Sequence, residues 1–389
     1  MKRIYLDYAA TTPVHPDVVK AMLPYFTEYY GNPSSIYSIG QEAKEGIEFA
    51  RTQVAGLIGA QPEEIIFTGS GTEADNYAFK GLAFSRDVKG NHFVTTAVEH
   101  HAILETAKFL EERGFEITYL RVDKYGMVDP QDVKKAIKPK TVLVSVMHAN
   151  NEVGTIQPIA EIGRVTKEAG VLFHTDAVQT VGHLPIDVNK LGIDMLSASA
   201  HKLYGPKGVG ALYLKKGVRL ESLIHGGAQE HSRRASTENV AGIVGFGKAA
   251  DLARVEMDGE AKRLTVLRDK LIKGLLGGMD RVTLNGHPTQ RLPNNVNISV
   301  EFVEGESLCL NLDLEGICSS TGSACSSSDA EPSHVLLALG VPPQLAHGSL
   351  RFTLGKWTQE DEIDRVVASL TNVVGKLRAM SPLLKSQKV

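Results

Sequence analysis

One lysine in this sequence stands in surroundings that suit covalent chemistry. Lys202 belongs to the stretch SASAHKLYGPKGVG, directly after a predicted strand, with Ser199 and His201 close by. A lysine at a strand end can form an internal Schiff base with an aldehyde cofactor such as pyridoxal phosphate, and a neighbouring serine and histidine can hydrogen-bond the phosphate. The alternative is a solvated lysine in a glycine-rich hairpin, and this stretch alone leaves both interpretations open.

An aspartate upstream could serve the same cofactor. Asp176 ends the stretch VLFHTD, and Gln179 follows three residues later. A carboxylate at a strand end can pair with a protonated pyridine nitrogen and keep the ring electron-withdrawing, and Gln179 could reach the ring's phenolic oxygen. Aspartate is mostly solvent-exposed in proteins, so one that follows an apolar run needs a partner. Alone, Asp176 leaves the question open; together with Lys202 it favours a cofactor site.

Two further stretches contain residue types that bind phosphate or move protons. The stretch TGSGTEADN, from Thr68 to Asn76, follows a predicted strand and opens a helix. Glycines let the backbone approach a ligand, and N–H groups at a helix start bind anions; neither the ATP-binding P-loop nor the GxGxxG pattern is present. His100, in EHHA, could stack on a ring and move protons near neutral pH. The alternatives are an ordinary strand–helix turn with a threonine cap, and a capping or surface histidine.

Only three cysteines occur, Cys309, Cys318 and Cys325. Their odd number and their spacing match no disulfide framework and no zinc pattern, which indicates a reducing compartment. Cys309, between leucines, and Cys318 resemble core thiols. Cys325 lies in the stretch 319–333, which contains seven serines and should form a mobile loop. A thiol on such an arm could visit a site and carry something away, although a third buried, inert thiol is the plain alternative.

These residues need elements to position them, and hydrophobic periodicity predicts alternating strands and helices from about 40 to 215. Such alternation indicates βαβ units and a mostly parallel sheet in a doubly wound α/β domain. After residue 258 the pattern becomes that of a smaller α+β domain. We expect a large domain over 13–258 and a small domain made of 1–12 and 259–389, which carries the loop at about 319–333.

The predicted elements have the following limits. Strands are expected at 64–68, 92–97, 116–122, 141–147, 171–176, 194–199, 209–214, 296–300 and 350–354. Helices are expected at 40–59, 75–84, 101–113, 159–169, 261–276, 306–314 and 359–377.

Composition restricts the classes of function. The 42 Lys and Arg residues against 45 Asp and Glu residues leave a formal net charge of −3, which gives no electrostatic reason to expect nucleic-acid or membrane-surface binding. The first residues, MKRIYLDYAATTPV, lack the apolar core of a secretory signal, and no apolar run approaches the roughly 20 residues of a membrane span. We therefore expect a cytoplasmic protein without nucleic-acid or membrane partners.

Together, these and further stretches carry a resemblance that spans nearly the whole chain. The sequence resembles the NifS/IscS-type cysteine desulfurases, of the class V aminotransferase group with pyridoxal-phosphate fold type I. The fold that this implies is α/β, a large domain with a mostly parallel mixed sheet between helices plus a smaller α+β domain. The matching stretches are YLDYAATTP, GNPSS, TGSGTEADN, VEHHAIL, NNEVGTIQP, HTDAVQ, SAHKLYGPKGVGALY, HGG…STENV, GSACSS and LRFTLG.

The resemblance implies which residues would hold pyridoxal 5'-phosphate. Lys202 would form the internal Schiff base and later shuttle protons, and Asp176 would pair with the pyridine nitrogen and Gln179 with the ring oxygen. His100 would stack on the ring and act in acid–base steps. The phosphate would be bound by Gly71, Thr72, Ser199 and His201, with Thr237 reaching across from the partner subunit of a homodimer.

The same resemblance implies the reaction. Arg351 would clamp the carboxylate of L-cysteine in the bidentate manner suited to guanidinium, with Asn151 assisting there or at the ring and Asn32 also binding substrate. Cys325, as a thiolate, would attack the substrate sulfur, giving L-alanine and a Cys325 persulfide. The sulfur would pass to an iron–sulfur scaffold protein or another sulfur acceptor. No resident metal is expected, and Cys325 is a candidate transient ligand of an iron–sulfur cluster.

Two alternatives stay open, and one departure from the family pattern matters. A selenocysteine lyase or carbon–sulfur lyase would share the cofactor residues, since only Cys325 argues for persulfide chemistry. A sulfur-relay component would bind partners without turning over cysteine, and Lys202 would then be a surface lysine. The family usually has glycine directly before Thr237, where this sequence has Ser236. We therefore expect altered geometry at the cross-subunit phosphate contact.

Overall fold

The computed structural model describes residues 3–321 and 332–380. Its strands are β1 (Ile4–Tyr5), β2 (Ile65–Thr68), β3 (His92–Thr96), β4 (Glu116–Leu120), β5 (Thr141–Ser145), β6 (Leu172–Asp176), β7 (Met195–Ser199), β8 (Gly210–Leu214), β9 (Val282–Asn285), β10 (Asn295–Val300), β11 (Ile317–Cys318) and β12 (Ser349–Thr353). Its helices are α1 (Pro16–Met22), α2 (Pro24–Thr27), α3 (Ser38–Ile58), α4 (Gly71–Ala83), α5 (His101–Glu111), α6 (Pro130–Ala136), α7 (Ile159–Ala169), α8 (Val188–Leu191), α9 (Gln229–Ser232), α10 (Val240–Gly278), α11 (Gly305–Leu314), α12 (His334–Ala338), α13 (Pro343–His347) and α14 (Glu360–Met380).

The central sheet has seven strands in the order β2-β8-β7-β6-β5-β3-β4. Only β8 runs against its neighbours, so the other six strands point the same way. Both faces are covered: Phe67 and Phe173 pack into one hydrophobic cluster, whereas Ile66 and Phe93 pack into another. Because successive strand residues point to opposite faces, covering both faces produces the continuous apolar runs seen in the sequence. The predicted mixed, mostly parallel sheet between helices is confirmed.

The C-terminal part forms a second layer. Strands β9, β10 and β12 make an antiparallel sheet, and β1 pairs with β11 in parallel. Their apolar side chains share a cluster with α11, α14 and the later half of α10. Ile4 and Leu6, at the start of the chain, belong to this same cluster. The N-terminal residues are therefore fixed beside β12, next to the central sheet's carboxyl edge.

Helix α10 is longer than the prediction of 261–276. It runs unbroken through residue 258, with Phe246 packed in the central cluster and Leu271 in the C-terminal one. The first half was missed because its glycines dilute the helical pattern of apolar residues. Gly247 has a packing reason, since a Cβ there would lie 2.5 Å from the Cα of Ala50 in α3. The two helices approach too closely for a side chain at that point.

Candidate active site

A cavity of about 390 Å³ lies at the carboxyl edge of the central sheet. Strands β2, β3, β5, β6 and β7 all end at this edge, which is where open α/β sheets bind ligands. Ten of the residues predicted for the site line the cavity, namely Gly71, Thr72, His100, Asn151, Asp176, Gln179, Ser199, His201, Lys202 and Arg351.

Lys202 follows β7 in a short 3-10 turn, Ala200–Lys202. Its Nζ donates hydrogen bonds to the backbone carbonyl of Ala9 and, at 2.8 Å, to that of Ala10. Its own carbonyl accepts a hydrogen bond from Nε2 of His183 at 2.9 Å. These contacts hold the amine at the cavity wall, which favours a cofactor-site lysine over a solvated one.

Asp176 is the last residue of β6 and is 6% exposed. Its Oδ1 accepts a hydrogen bond from the N–H of Val178 at 2.9 Å. Burial raises the pKa of Asp176, and the nearby His100 side chain, the hydrogen bond from Val178 and the Lys202 side chain act against that increase. A cation bound against this carboxylate would relieve the cost of burying its charge.

Two more buried carboxyl groups lie near Asp176, and the sequence analysis did not select either. Asp75 lines the cavity, and its Oδ1 accepts no hydrogen bond from any residue in the described ranges. Glu99 is fully buried, and its Oε1 accepts hydrogen bonds from Oγ1 of Thr96 and from the N–H of Met147. Burial raises the pKa of Glu99 to about 8 and that of Asp75 well above its usual range, with Asp176 adding to both shifts.

We refer to Asp75, Glu99 and Asp176 as the cavity floor. Burial favours the neutral forms of Asp75 and Glu99, whereas the His100 and Lys202 side chains favour the ionised form of Asp176. Asp75 belongs to TEADN and Glu99 directly precedes His100, but no spacing in the sequence marks either residue. Only the fold brings the three carboxyls together.

His100 occupies the N-cap position of α5 and lines the cavity. Its Nδ1 accepts a hydrogen bond from the N–H of Ala102 at 3.1 Å, so the proton of the neutral ring is on Nε2. Burial lowers the pKa of His100. The residue is thus both the helix cap and a cavity residue, two interpretations that the sequence presented as alternatives.

The part of the cavity wall at the start of α4 suits an anion. Helix α4 begins there at Gly71, and Ser70 caps it by accepting the N–H of Glu73 at 3.0 Å. The positive end of a helix favours a phosphate. A Cβ on Gly71 would lie 2.7 Å from Cγ2 of Val178, so this wall requires a glycine. Nearby, His201 shares a hydrogen bond of 3.0 Å with Oγ1 of Thr11, and burial lowers its pKa to about 4.

Arg351 enters the cavity from β12, a strand of the C-terminal sheet, and is 4% exposed. Its Nη1 donates to the carbonyl of Asn151 at 3.0 Å, and its Nη2 donates to Oδ1 of Asp7 at 2.9 Å. Its Nε is buried and has no partner within residues 3–321 and 332–380. Nη1 and Nη2 each carry two N–H groups and use one in these contacts, so the guanidinium can still donate to a carboxylate ligand.

The N-terminal segment is the main part of the cavity wall that sequence reasoning missed. Besides Asp7 on Arg351, the carbonyl of Ala9 accepts a hydrogen bond from Nε2 of Gln179 at 3.1 Å. Ala9 and Ala10 themselves line the cavity. In the sequence, YLDYAATTP contributes only to the family pattern, because small residues such as Ala9 and Ala10 carry no chemistry of their own.

Three predicted residues are not brought to this cavity. Thr237 lines a separate cavity of about 230 Å³ together with Gly69, Arg234 and Ser236. Asn32 is exposed, and its Oδ1 accepts the N–H of Ser34. Cys325 lies outside the described residues, as does most of the serine-rich stretch. Their roles remain predictions.

Ser236, the departure from the family pattern, has a backbone φ of +103°. Only glycine adopts this region without strain. The expectation of unusual geometry before Thr237 thus has a physical origin, since the serine occupies a glycine conformation.

The cavity residues fit pyridoxal phosphate. The volume of about 390 Å³ is within the range of small-molecule cavities. A buried carboxylate, a lysine amine and a helix start provide, in order, partners for a pyridinium, an aldehyde and a phosphate. Over residues 3–321 and 332–380 no cluster of three or more His, Cys, Asp or Glu side chains could hold a metal ion. Within the same residues no helix has the length and apolar character needed to cross a membrane.

Comparison with known proteins agrees with this geometry. The profile of the family "Aminotransferase class-V" matches residues 4–366. The chain is 56% identical to the cysteine desulfurase IscS of Dictyoglomus turgidum over 100% of this chain and 99% of the relative. It is 57% identical to the cysteine desulfurase IscS of Methanosarcina thermophila, over 98% of this chain and 94% of the relative. A solved structure of a NifS-like protein superposes with a TM-score of 0.90 at 39% identity, covering 96% of this chain and 99% of the other.

The fold and the cavity define a pyridoxal-phosphate enzyme of fold type I. The chain belongs to the class-V aminotransferase family, and within it to the cysteine desulfurases.

Proposed function

We propose that this chain removes sulfur from L-cysteine, giving L-alanine and a persulfide on Cys325 that is handed to an acceptor protein. The observation that carries the proposal is the single cavity that contains Lys202, Asp176 and Arg351. These side chains come from the central sheet and from the C-terminal sheet, and they provide the partners for an aldehyde, a pyridinium and an α-carboxylate. The names of the relatives supply the expected substrate.

Pyridoxal phosphate, when bound, supplies a sink for the electrons released at the substrate's α-carbon. Asp176 would pair with the pyridine nitrogen, Gln179 with the ring oxygen, and His100 would stack on the ring. The phosphate would be held by Gly71, Thr72, Ser199 and His201. Asn151 would assist at the ring or at the substrate carboxylate.

Proton movement falls to two groups of this chain. Nζ of Lys202 would take the substrate's α-proton and return a proton to the cofactor side. Burial lowers the pKa of His100, which favours the neutral ring. In that form Nε2 carries the proton and can donate a hydrogen bond to a group in the cavity, and the ring would act as an acid only after it has gained a second proton.

Arg351 would bind the substrate carboxylate, and Asn32 would assist on the substrate side. The Cys325 thiolate would then attack the substrate sulfur. A sulfur–sulfur bond forms as the carbon–sulfur bond breaks, and the electron pair of the broken bond stays with carbon, which takes a proton and becomes the methyl group of alanine. No external oxidant is needed, because the substrate sulfur leaves as the outer atom of the persulfide.

We further infer a homodimer in which Thr237 contacts the phosphate bound by the partner. In one chain Thr237 lies in a cavity apart from the cofactor residues. Several large apolar side chains that lie close to one another in sequence, on and around α2 and α3, are exposed. They include Phe26, Tyr30, Ile36 and Phe49. Exposed apolar surface of this kind is typical of protein interfaces.

The remaining assignments concern organisation and place in the cell. We propose a large domain over 13–258 and a small domain made of 1–12 and 259–389, with helix α10 continuous across the boundary. The acceptor would be an iron–sulfur scaffold protein or another sulfur carrier, with no nucleic acid or membrane involved. Cys309 and Cys318 are both unpaired thiols, which supports a reducing, cytoplasmic setting.

The test is Cys325→Ala with Cys318→Ala as the matched control. We expect Cys325→Ala to lower alanine release from L-cysteine by about 100-fold or more, while the bound cofactor's absorbance is retained. Cys318→Ala should stay near wild type. Retained alanine release in Cys325→Ala would overturn the proposal and favour a selenocysteine or carbon–sulfur lyase.

A further inference from the structure

Arg351 is held by a carboxylate of its own chain, at a distance of 344 residues in sequence. Nη2 of Arg351 donates to Oδ1 of Asp7 at 2.9 Å, and the two side chains are 5% and 20% exposed. Asp7 is not among the residues that line the cavity, whereas Arg351 is. The Asp7 carboxylate therefore contacts the guanidinium on the side that faces away from the cavity.

Two contacts fix the orientation of the Arg351 guanidinium, and Nη1 and Nη2 each keep one N–H for a ligand. Nη1 is used by the carbonyl of Asn151 at 3.0 Å, and Nη2 by Asp7. Nε is buried without a partner within residues 3–321 and 332–380. Because the guanidinium is planar and rigid, fixing two of its nitrogens fixes the direction of the third.

The backbone holds Asp7 in register with Arg351. Asp7 forms a parallel bridge with Thr353, two residues beyond Arg351 on β12. The N–H of Thr353 donates to the carbonyl of Leu6 at 2.8 Å, and Oγ1 of Thr353 accepts the N–H of Ala9 at 2.8 Å. Oη of Tyr5 donates to the carbonyl of Asp7 at 3.0 Å. The aspartate is thus attached to the same strand that presents the arginine.

From this geometry we propose that Asp7 is a positioning residue that orients the Arg351 guanidinium toward the substrate and makes the site selective for amino acids with a free α-carboxylate. The inference rests on the proposed assignment of Arg351 as the carboxylate-binding residue. Without Asp7 the guanidinium would keep only the contact of Nη1 with the carbonyl of Asn151, and its buried positive charge would lose its only anionic partner within the described residues.

If Asp7 instead competed with the substrate for Arg351, its removal would have the opposite effect on substrate binding. A competing carboxylate would have to give up Nη2 when substrate binds, so its removal would tighten substrate binding. A positioning carboxylate keeps its contact with Nη2 when the substrate binds. Its removal therefore weakens the binding only of ligands that have a carboxylate.

The test compares two ligands in the pyridoxal-phosphate-loaded enzyme, read from the absorbance change of the bound cofactor. L-alanine has the free carboxylate, and L-alaninamide lacks it. For Asp7→Asn we expect the dissociation constant of L-alanine to rise about tenfold and that of L-alaninamide to stay within about twofold, as for loss of one charge-assisted contact. In steady state, KM for L-cysteine should rise by a similar factor with kcat nearly unchanged.

Asp17→Asn is the control, since Asp17 forms an exposed ion pair with Lys20, and it should change neither constant. If Asp7→Asn does not fold, Asp7→Glu keeps the charge but displaces it, and the same selective rise for L-alanine is expected. Equal changes for both ligands, no change, or tighter L-alanine binding would overturn the proposal. The binding assay does not require desulfuration, so a wild-type enzyme that released no alanine from cysteine would contradict the proposed function and leave this test intact.

Discussion

The cavity floor and the segment Gly226–Thr237 are both energetically unfavourable, but for different physical reasons. The floor carboxyls Asp75, Glu99 and Asp176 lie in or beside regular elements and have ordinary backbone geometry, but each is buried. In the segment, Glu230, His231, Ser232 and Ser236 all have positive φ, although none is glycine. The floor thus bears a cost of desolvation, and the segment bears one of backbone strain.

The two regions are also stabilised differently. In the floor, burial raises the pKa values of Asp75 and Glu99, which favours their neutral forms. The segment is held by a buried ion pair, in which Nη1 of Arg51 contacts Oε2 of Glu230 at 2.8 Å and Nη2 contacts Oε1 at 2.9 Å. Each side chain of this pair is 3% exposed. The strained backbone before the predicted cross-subunit residue Thr237 is held by side-chain contacts, including the ion pair of Arg234 with Glu73, and the Arg51–Glu230 pair is the most buried anchor among them.

The largest effect is expected from removing that anchor. Glu230→Ala leaves Arg51 buried without its bidentate partner and should lower the free energy of unfolding by roughly 3–5 kcal/mol. Urea denaturation measures this. Glu48 contacts the same arginine but is 46% exposed, so Glu48→Ala should cost less than about 1 kcal/mol. Similar losses for the two variants would show that the segment has no special anchor.

A pH effect is expected from the floor, and over one pH unit it is smaller than the loss expected for Glu230→Ala. The pKa of Glu99 is about 8 in the folded protein and 4.5 as a free side chain. The unfolded chain therefore loses this proton at lower pH than the folded one, so stability falls as pH rises from about 4.5 to 8, by up to about 1.4 kcal/mol per pH unit. Glu99→Gln should flatten this part of the stability curve, measured by melting temperature. An unchanged slope would indicate that Glu99 is ionised in the folded protein.

The smallest effect is expected at Ser236. Ser236→Gly should raise the free energy of unfolding by roughly 0.5–1 kcal/mol, because glycine adopts a φ of +103° without strain. Ser236→Ala removes the hydroxyl but keeps the strained backbone, so it should give no gain. If both variants were equally stable, the hydroxyl rather than the backbone would determine stability here.

The sequence predicted best those site residues that follow a strand directly. Asp176 and Ser199 end β6 and β7, and Lys202 comes one turn later, so an apolar run followed by a polar residue was sufficient to find them. The central sheet was predicted for the same reason, with strand ends displaced by at most a few residues.

The parts that escaped prediction depend on distant contacts. Nothing in the local pattern pairs Asp7 with Arg351, because 344 residues separate them. The burial of the Asp75 carboxyl beside Asp176 becomes visible only once β6 lies beside α4. The early start of α10 was hidden by glycines that close helix packing requires, as at Gly247.

The central claim is that Cys325 receives the sulfur of L-cysteine. The most direct measurement is peptide mass spectrometry of the pyridoxal-phosphate-loaded enzyme after one equivalent of L-cysteine and alkylation, with L-alanine quantified in the same sample. We predict one additional sulfur atom on the peptide that contains Cys325, matched by one equivalent of L-alanine. Additional sulfur on the peptides of Cys309 or Cys318 instead, or alanine formed with no protein-bound sulfur, would contradict the account.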